Sequence, residues 1–286
     1  AISNCRKVGN IPEEFDILFL QGGATMQFAM IPMNFLPEGR IANYLDTGVW
    51  ATKAVKEAKK IGNVHVAYDG FATNFDRCPT DEELDLTENA SYLHYCSNNT
   101  IYGTRFNNVP KADSPVICDM SSDMFSRPID WAALDMVYAG AQKNLGPSGT
   151  VLVVVRKTML EQCSDKLPLL LNYKAIADKN SMLNTPPTFG IYLMGKVFEW
   201  ILNEGGLQEI QSRNERKAGM IYHALDSNAD FYTTFSQKSS RSKMNISFKT
   251  KSLELDTLFL EESAAQGMSG LKGHRNLGGL RASVYN

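Results

Sequence analysis

The chain has 286 residues, 43% of them hydrophobic and 21% charged, and carries a net charge of −2. That length buries a substantial core and accommodates a large domain beside a smaller one, while the near-balanced charge excludes a global basic field for nucleic acid or an anionic membrane. No apolar run reaches the ~20 residues of a membrane helix, and the first residues lack the short apolar core of a signal peptide.

In chain order, FDILFL (15–20) reads as a buried strand that turns at Gly22–Gly23 into a helix, which Pro32 should begin, kink or interrupt. A helix over 50–62 places Ala54, Val55, Ala58 and Ile61 on one face, with Gly62 suited to its C-terminal cap. A strand follows at 64–68. TDEEL (80–84) resembles a helix start, Thr80 being the N-cap and Glu83 the third helical position. Strands at 92–96 and 115–119 lead to MVYA (136–139) and TVLVVVR (150–156), which flank a loop holding Lys143. A long helix runs from 188 and closes at Gly205–Gly206.

Short apolar runs alternating with helical patterns predict an α/β fold with a mostly parallel, helix-covered sheet. Beyond a boundary near 205–210 the rhythm changes to helix (206–227), strand (243–249), helix (253–267) and strand (278–285), a smaller α+β unit.

Five scattered cysteines with no CxxC pair read as free thiols in a reducing, cytoplasmic compartment. The Asn-x-Ser/Thr matches at Asn89, Asn98 and Asn245 are then chance. Four histidines without HxxxH or HExxH spacing point to no metal.

Several features recur at the C-terminal ends of predicted strands, where open α/β sheets bind ligands. FLQGGAT is a strand, Gly-Gly turn and helix start; it either offers backbone N–H groups to a phosphate or is only a turn. Asp119 either pairs with a ligand cation or caps the next segment with Ser121 and Ser122. Trp50 is a core anchor or a plate for a planar ligand. LKGHRNLGGLR (271–281) gathers Lys272, His274, Arg275 and Arg281, a solvated loop or a grip for phosphate and carboxylate. A lysine that forms a Schiff base must be partly desolvated, so that its amine is neutral often enough to attack a carbonyl. A pyridoxal phosphate site adds an acidic partner for the ring nitrogen, an aromatic plate and a phosphate-binding helix terminus. Lys143, Asp119, Trp50 and Gly22–Thr25 can fill those four roles.

The stretches FLQGGATMQFAMIPMNFL, DMSSDMFSRPID, YAGAQKNLGPSG, NTPPTF and LKGHRNLGGLRASVYN resemble, in order and along essentially the whole chain, the phosphoserine aminotransferase family of class V aminotransferases. These are fold type I pyridoxal phosphate enzymes. The resemblance implies a large domain (1–205) with a mostly parallel seven-stranded sheet covered by helices, and a small α+β C-terminal domain (206–286). It implies that Lys143 carries pyridoxal 5′-phosphate as a Schiff base, with Gln142 beside it and Asp119 on the pyridine nitrogen. Trp50 stacks on the ring, Thr100 bonds its phenolic oxygen, and Ala24 and Thr25 hold the phosphate. In the family's homodimer, Asn184 and Thr185 reach that phosphate from the partner subunit. His274, Arg275 and Arg281 are the substrate clamp for phosphoserine's phosphate and α-carboxylate. The implied reaction moves an amino group between L-glutamate and 3-phosphonooxypyruvate in serine biosynthesis. The family pattern also has a segment ahead of residue 1 with a Ser-His-Arg-Ser type motif, and a helix beyond Asn286, both completing the small domain. Position 25 is Thr where some members have Arg, so one substrate contact is lost there. Two other readings stay open: a different class V enzyme, and a truncated, catalytically idle homologue that binds the cofactor or only dimerises.

Overall fold

A computed structural model describes residues 1–286. The chain opens with α1 (Ile2–Gly9), β1 (Phe15–Gln21), α2 (Ala24–Phe35), β2 (Ile41–Asp46), α3 (Val49–Ala58) and β3 (Asn63–Asp69). Next come β4 (Leu93–Cys96), the two-residue strands β5 (Asn98–Asn99) and β6 (Thr104–Arg105), β7 (Val116–Asp119), β8 (Met136–Gly140) and β9 (Thr150–Arg156). The helices α4 (Lys157–Leu160), α5 (Tyr173–Ala177), α6 (Thr188–Asn203) and α7 (Gly206–Ser227) precede β10 (Thr233–Thr234), β11 (Asn245–Lys249), α8 (Leu253–Ala265) and β12 (Leu280–Ser283).

One seven-stranded sheet, in the order β1-β9-β8-β7-β4-β2-β3, organises the chain up to α6. β3, β2, β4, β7 and β8 pair in parallel. β9 alone is reversed, antiparallel to both β8 and β1. Because helices cover both faces, the strands are apolar on both sides. Phe15, Ile17, Phe19, Leu152 and Val154 enter a core beneath α1 and α6, whereas Leu18, Leu20, Val151, Val153 and Val155 enter a second core beneath α2, α3 and α5. That double burial is why short apolar runs identify the strands so directly.

A three-stranded antiparallel sheet, β10-β11-β12, forms beyond residue 206 over its own small core of Ala218, Tyr222, Leu225, Ile246, Phe248 and Leu280. Helix α7 serves two cores. Its first turns place Leu207 and Ile210 in the core beneath α6, and its last turns place Ala218, Tyr222 and Leu225 in the small one.

Some sequence expectations need correction. Pro32 does not interrupt α2; it lies in the last turn, and the helix continues to Phe35. Helix α3 ends at Ala58 rather than near 62, leaving Ile61 39% exposed, because the chain caps on Lys59 and Gly62 returns its N–H to the Ala58 carbonyl. TDEEL forms the expected reciprocal cap between Thr80 and Glu83, but over a single 3-10 turn, Asp81–Glu83.

The β5–β6 hairpin ties the large sheet to β11. Asn98 Nδ2 donates to Asn245 Oδ1 at 2.9 Å, and Ser247 Oγ donates to the Ile101 carbonyl at 2.7 Å. Gly103 permits this approach: its φ is +73°, and a Cβ there would stand 2.9 Å from the Asn245 carbonyl oxygen. Gly103→Ala combines left-handed strain with a backbone clash, so it should cost about 1–3 kcal/mol. The check is a lower urea midpoint at unchanged slope.

Candidate active site

The cleft opens at the carboxyl ends of β4, β7 and β8, at the start of α2 and α3. It is lined by Gly23, Ala24, Thr25, Phe28, Trp50, Cys96, Asn98, Asp119, Ser121, Ser122, Gln142 and Lys143. Lys143 occupies the turn between β8 and β9, which the antiparallel pairing closes and backbone bonds tighten. Leu145 and Gly146 N–H groups both donate to the Ala141 carbonyl, Asn144 Nδ2 donates to the Met124 carbonyl at 2.7 Å, and Leu145 is fully buried. The side chain of Lys143 therefore leaves a fixed backbone. Its Nζ donates to Thr100 Oγ1 at 2.6 Å and stands 5.5 Å from the Trp50 ring centroid. Burial pushes this amine below the ordinary lysine range, opposed chiefly by the negative charge of Asp119.

Asp119 ends β7 and is 4% exposed. The N–H and Oγ of Ser121 both donate to its Oδ1, at 2.9 and 2.6 Å. Burial pushes the carboxyl upward, and the Ser121 bonds and the Lys143 charge hold it back. The carboxylate thus caps the following turn and also lines the cleft.

Ala24 and Thr25 form the first turn of α2, whose N-cap Gly23 makes no side-chain hydrogen bond, so no side chain of the chain takes the helix's first N–H groups. Trp50 is in the first turn of α3, and its buried Nε1 has no partner.

The basic cluster comes from β12 and the loop before it. Arg281 Nη1 lies 3.5 Å from the Thr100 carbonyl, next to the lysine. His274 accepts the Asn276 N–H on Nδ1 at 3.2 Å; burial, then Arg281, Arg275 and Lys53 in turn, push its imidazole below the ordinary histidine range. Lys53, from α3, lies over the Trp50 ring at 4.4 Å.

Asn184 and Thr185 are not in this cleft. Both are exposed, and Asn184 Nδ2 donates to Gln21 Oε1 at 3.1 Å. Phe28, Cys96 and Asn98, to which the sequence reading gives no role in the site, also line the cleft. Asn98 carries one usable signal, a polar residue two positions beyond a strand whose end faces the ligand edge of the sheet.

This sheet, with a half-buried lysine facing an acidic residue at its carboxyl edge, is the arrangement of a fold type I pyridoxal phosphate transferase. The model of the class-V aminotransferase family matches residues 2–286, and the chain belongs to that family. Within it the chain belongs with the phosphoserine aminotransferases. It is 49% identical over 282 residues to the phosphoserine aminotransferase of Halalkalibacterium halodurans, covering 98% of this chain and 78% of the relative. The structure of phosphoserine aminotransferase from Bacillus circulans subsp. alkalophilus superposes with a TM-score of 0.97 at 48% identity, over 99% of this chain and 79% of that one. The PLP-bound phosphoserine aminotransferase of Trichomonas vaginalis gives 0.93 at 37% identity, over 99% and 81%.

Proposed function

We propose that the chain transfers an amino group between L-glutamate and 3-phosphonooxypyruvate, giving 2-oxoglutarate and O-phospho-L-serine, with pyridoxal 5′-phosphate as cofactor. One observation carries this reading: a desolvated amine, Lys143, held by Thr100 beside Trp50 in a cleft whose floor is the buried carboxylate Asp119. The cleft fits that cofactor. A carboxylate, a flat ring, a helix start without a side-chain cap and a lone amine supply the four kinds of contact it requires.

When bound, pyridoxal phosphate supplies an aldehyde carbon for attachment of amines and a ring that accepts the electron pair of the substrate α-carbon. Lys143 would hold the cofactor, and once free its amine would move the proton from the substrate α-carbon to C4′, serving as base and then as acid. Desolvation keeps a useful fraction of the amine neutral for this task. Asp119 keeps a proton on the ring nitrogen, where positive charge draws electrons from the α-carbon. Trp50 fixes the ring plane, Thr100 meets its phenolic oxygen, Gln142 flanks it, and Ala24 and Thr25 meet the phosphate with backbone N–H groups.

His274, Arg275 and Arg281 form the substrate clamp, the two arginines suiting the paired oxygens of phosphate and carboxylate. Residues 1–205 are the cofactor domain and 206–286 the small domain that brings the clamp. The working unit is a homodimer in which Asn184 and Thr185 serve the partner's site, consistent with their exposure here. All five cysteines are unpaired, which supports a cytoplasmic enzyme of serine biosynthesis.

The test is glutamate formation from 2-oxoglutarate with phosphoserine, serine or alanine as amino donor. Only phosphoserine should support rapid turnover; equal rates with serine would sink the clamp assignment. Arg275→Ala should raise KM for phosphoserine about tenfold or more, as expected for losing a charge-assisted hydrogen bond.

A further inference from the structure

Three asparagines outside the cleft meet on one turn, Met124–Ser126, that follows Asp119. Each of its three successive carbonyls accepts from an asparagine side chain of a different part of the chain. Asn144 Nδ2, beside Lys143, donates to the Met124 carbonyl at 2.7 Å. Asn286 Nδ2, three residues beyond β12, donates to the Phe125 carbonyl at 2.9 Å. Asn214 Nδ2, in α7, donates to the Ser126 carbonyl at 3.2 Å. Phe125 is fully buried with φ +58°, a backbone conformation that a bulky residue keeps only where its surroundings fix it.

Asn286 also joins the other two asparagines. Its backbone N–H donates to Asn144 Oδ1 at 3.0 Å, and its Oδ1 accepts from Asn214 Nδ2 at 2.7 Å. The backbone groups fix the orientation of the Asn144 amide, because a carbonyl only accepts and an N–H only donates. Nitrogen therefore faces Met124 and oxygen faces Asn286, and exchanging the two ends would break both bonds. Asn144 and Asn214 are buried, so losing either side chain leaves backbone groups unpaired.

The segment carrying Asn286 is itself fixed to the small domain. The Val284 N–H donates to the Met244 carbonyl at 2.8 Å, and Lys217 Nζ, from α7, donates to the Val284 and Tyr285 carbonyls at 3.2 and 2.7 Å. Arg281 lies on this same stretch, five positions before Asn286, and Lys143 directly precedes Asn144. The bond from the Asn286 N–H to Asn144 Oδ1 thus connects the strand that bears the arginine to the turn that bears the amine.

We propose that Asn144 and Asn286 are positioning residues: clasped over the Met124–Ser126 turn, they hold the lysine turn in register with Arg281, so that a substrate gripped by the clamp presents its α-carbon to Lys143. The role rests on the reading of Lys143 as the carrier amine and Arg281 as part of the substrate clamp. Neither asparagine lines the cleft, so both act through these neighbours.

The experiment compares wild type with Asn144→Ala, Asn286→Ala and the double variant, each loaded with pyridoxal 5′-phosphate, and uses two amines. Phosphoserine must span the clamp and Lys143. Hydroxylamine has neither phosphate nor carboxylate and needs only the cofactor carbon that Lys143 holds. Each single variant should lower kcat for phosphoserine about tenfold or more, toward the ~100-fold that a misplacement of about 1 Å costs. KM and the cofactor dissociation constant should stay within about twofold of wild type, because the clamp and cleft groups are all retained. In Asn286→Ala the rate at which hydroxylamine releases the cofactor should also be unchanged. The double variant should lose no more than the worse single one, since both substitutions open the same link. Asn286 is only half-buried, so the test survives an Asn144→Ala protein that does not fold. A wild-type phosphoserine kcat in Asn286→Ala overturns the proposal, as does an equal loss with hydroxylamine or losses that multiply in the double variant. A wild-type protein that turns over no phosphoserine overturns the clamp reading itself, and this one with it.

Discussion

Replacing Lys143 by alanine should lower turnover by roughly 10⁴-fold, the upper end for loss of a positioned acid–base group. The substitution removes the one lysine that lines the cleft and the donor to Thr100 Oγ1. Cofactor affinity should fall much less, because the helix start at Ala24–Thr25, the Trp50 ring and Asp119 are untouched. Borohydride reduction separates these effects. It should fix the cofactor covalently to the wild-type chain at Lys143, as mass spectrometry of the peptide can verify, and fix none to the variant. Covalent label persisting in Lys143→Ala would place the carrier amine elsewhere.

Asp119→Asn carries the second large effect, a loss of roughly 10³-fold in turnover, within the range that acid–base groups contribute. The amide preserves shape and can still accept from Ser121, yet it cannot hold a proton on the ring nitrogen. It also removes the negative charge that stabilises the Lys143 ammonium. The sign follows: without Asp119 the ammonium is less favoured, and the amine becomes neutral at lower pH. Competitive labelling of Lys143 in the cofactor-free protein should show reactivity rising at lower pH in Asp119→Asn than in wild type. A midpoint shifted upward would mean that the two groups are not electrostatically coupled as their arrangement requires.

Much of this site is legible in the amino-acid sequence because its chemistry requires unusual residues at strand ends. Lys143, Asp119, Trp50 and the Gly-Gly turn lie far apart along the chain, and the sheet order brings them to one edge. The elements themselves are readable where burial is two-sided, as in β1 and β9, whose unbroken apolar runs are too short for a membrane helix and too uniform for a half-exposed strand. The boundaries are less so. Ile61 and Gly62 continue the helical pattern of α3, but tertiary packing ends the helix at Ala58 and places Gly62 against the side chain of Leu36, which a Cβ at 2.9 Å would strike. One buried polar contact is hidden for a different reason. His94 and Tyr138 stand within apolar strands at positions where any large side chain fits the pattern, so only coordinates reveal that their polar atoms meet. Asn184 and Thr185 are named by resemblance alone, since no periodicity or spacing within one chain can report a contact made by a second.

Helix α7 gives the molecule a mechanical property that no single residue supplies. One rigid rod of 22 residues, about 33 Å at 1.5 Å per residue, is embedded at one end in the core beneath α6 and at the other in the core beneath β11 and β12. Thermal displacement of β12, which carries Arg281, is thereby referred back to the body that carries Lys143. The rod acts as a tie-beam between Arg281 and Lys143, so the distance separating these two side chains becomes a dimension of the scaffold.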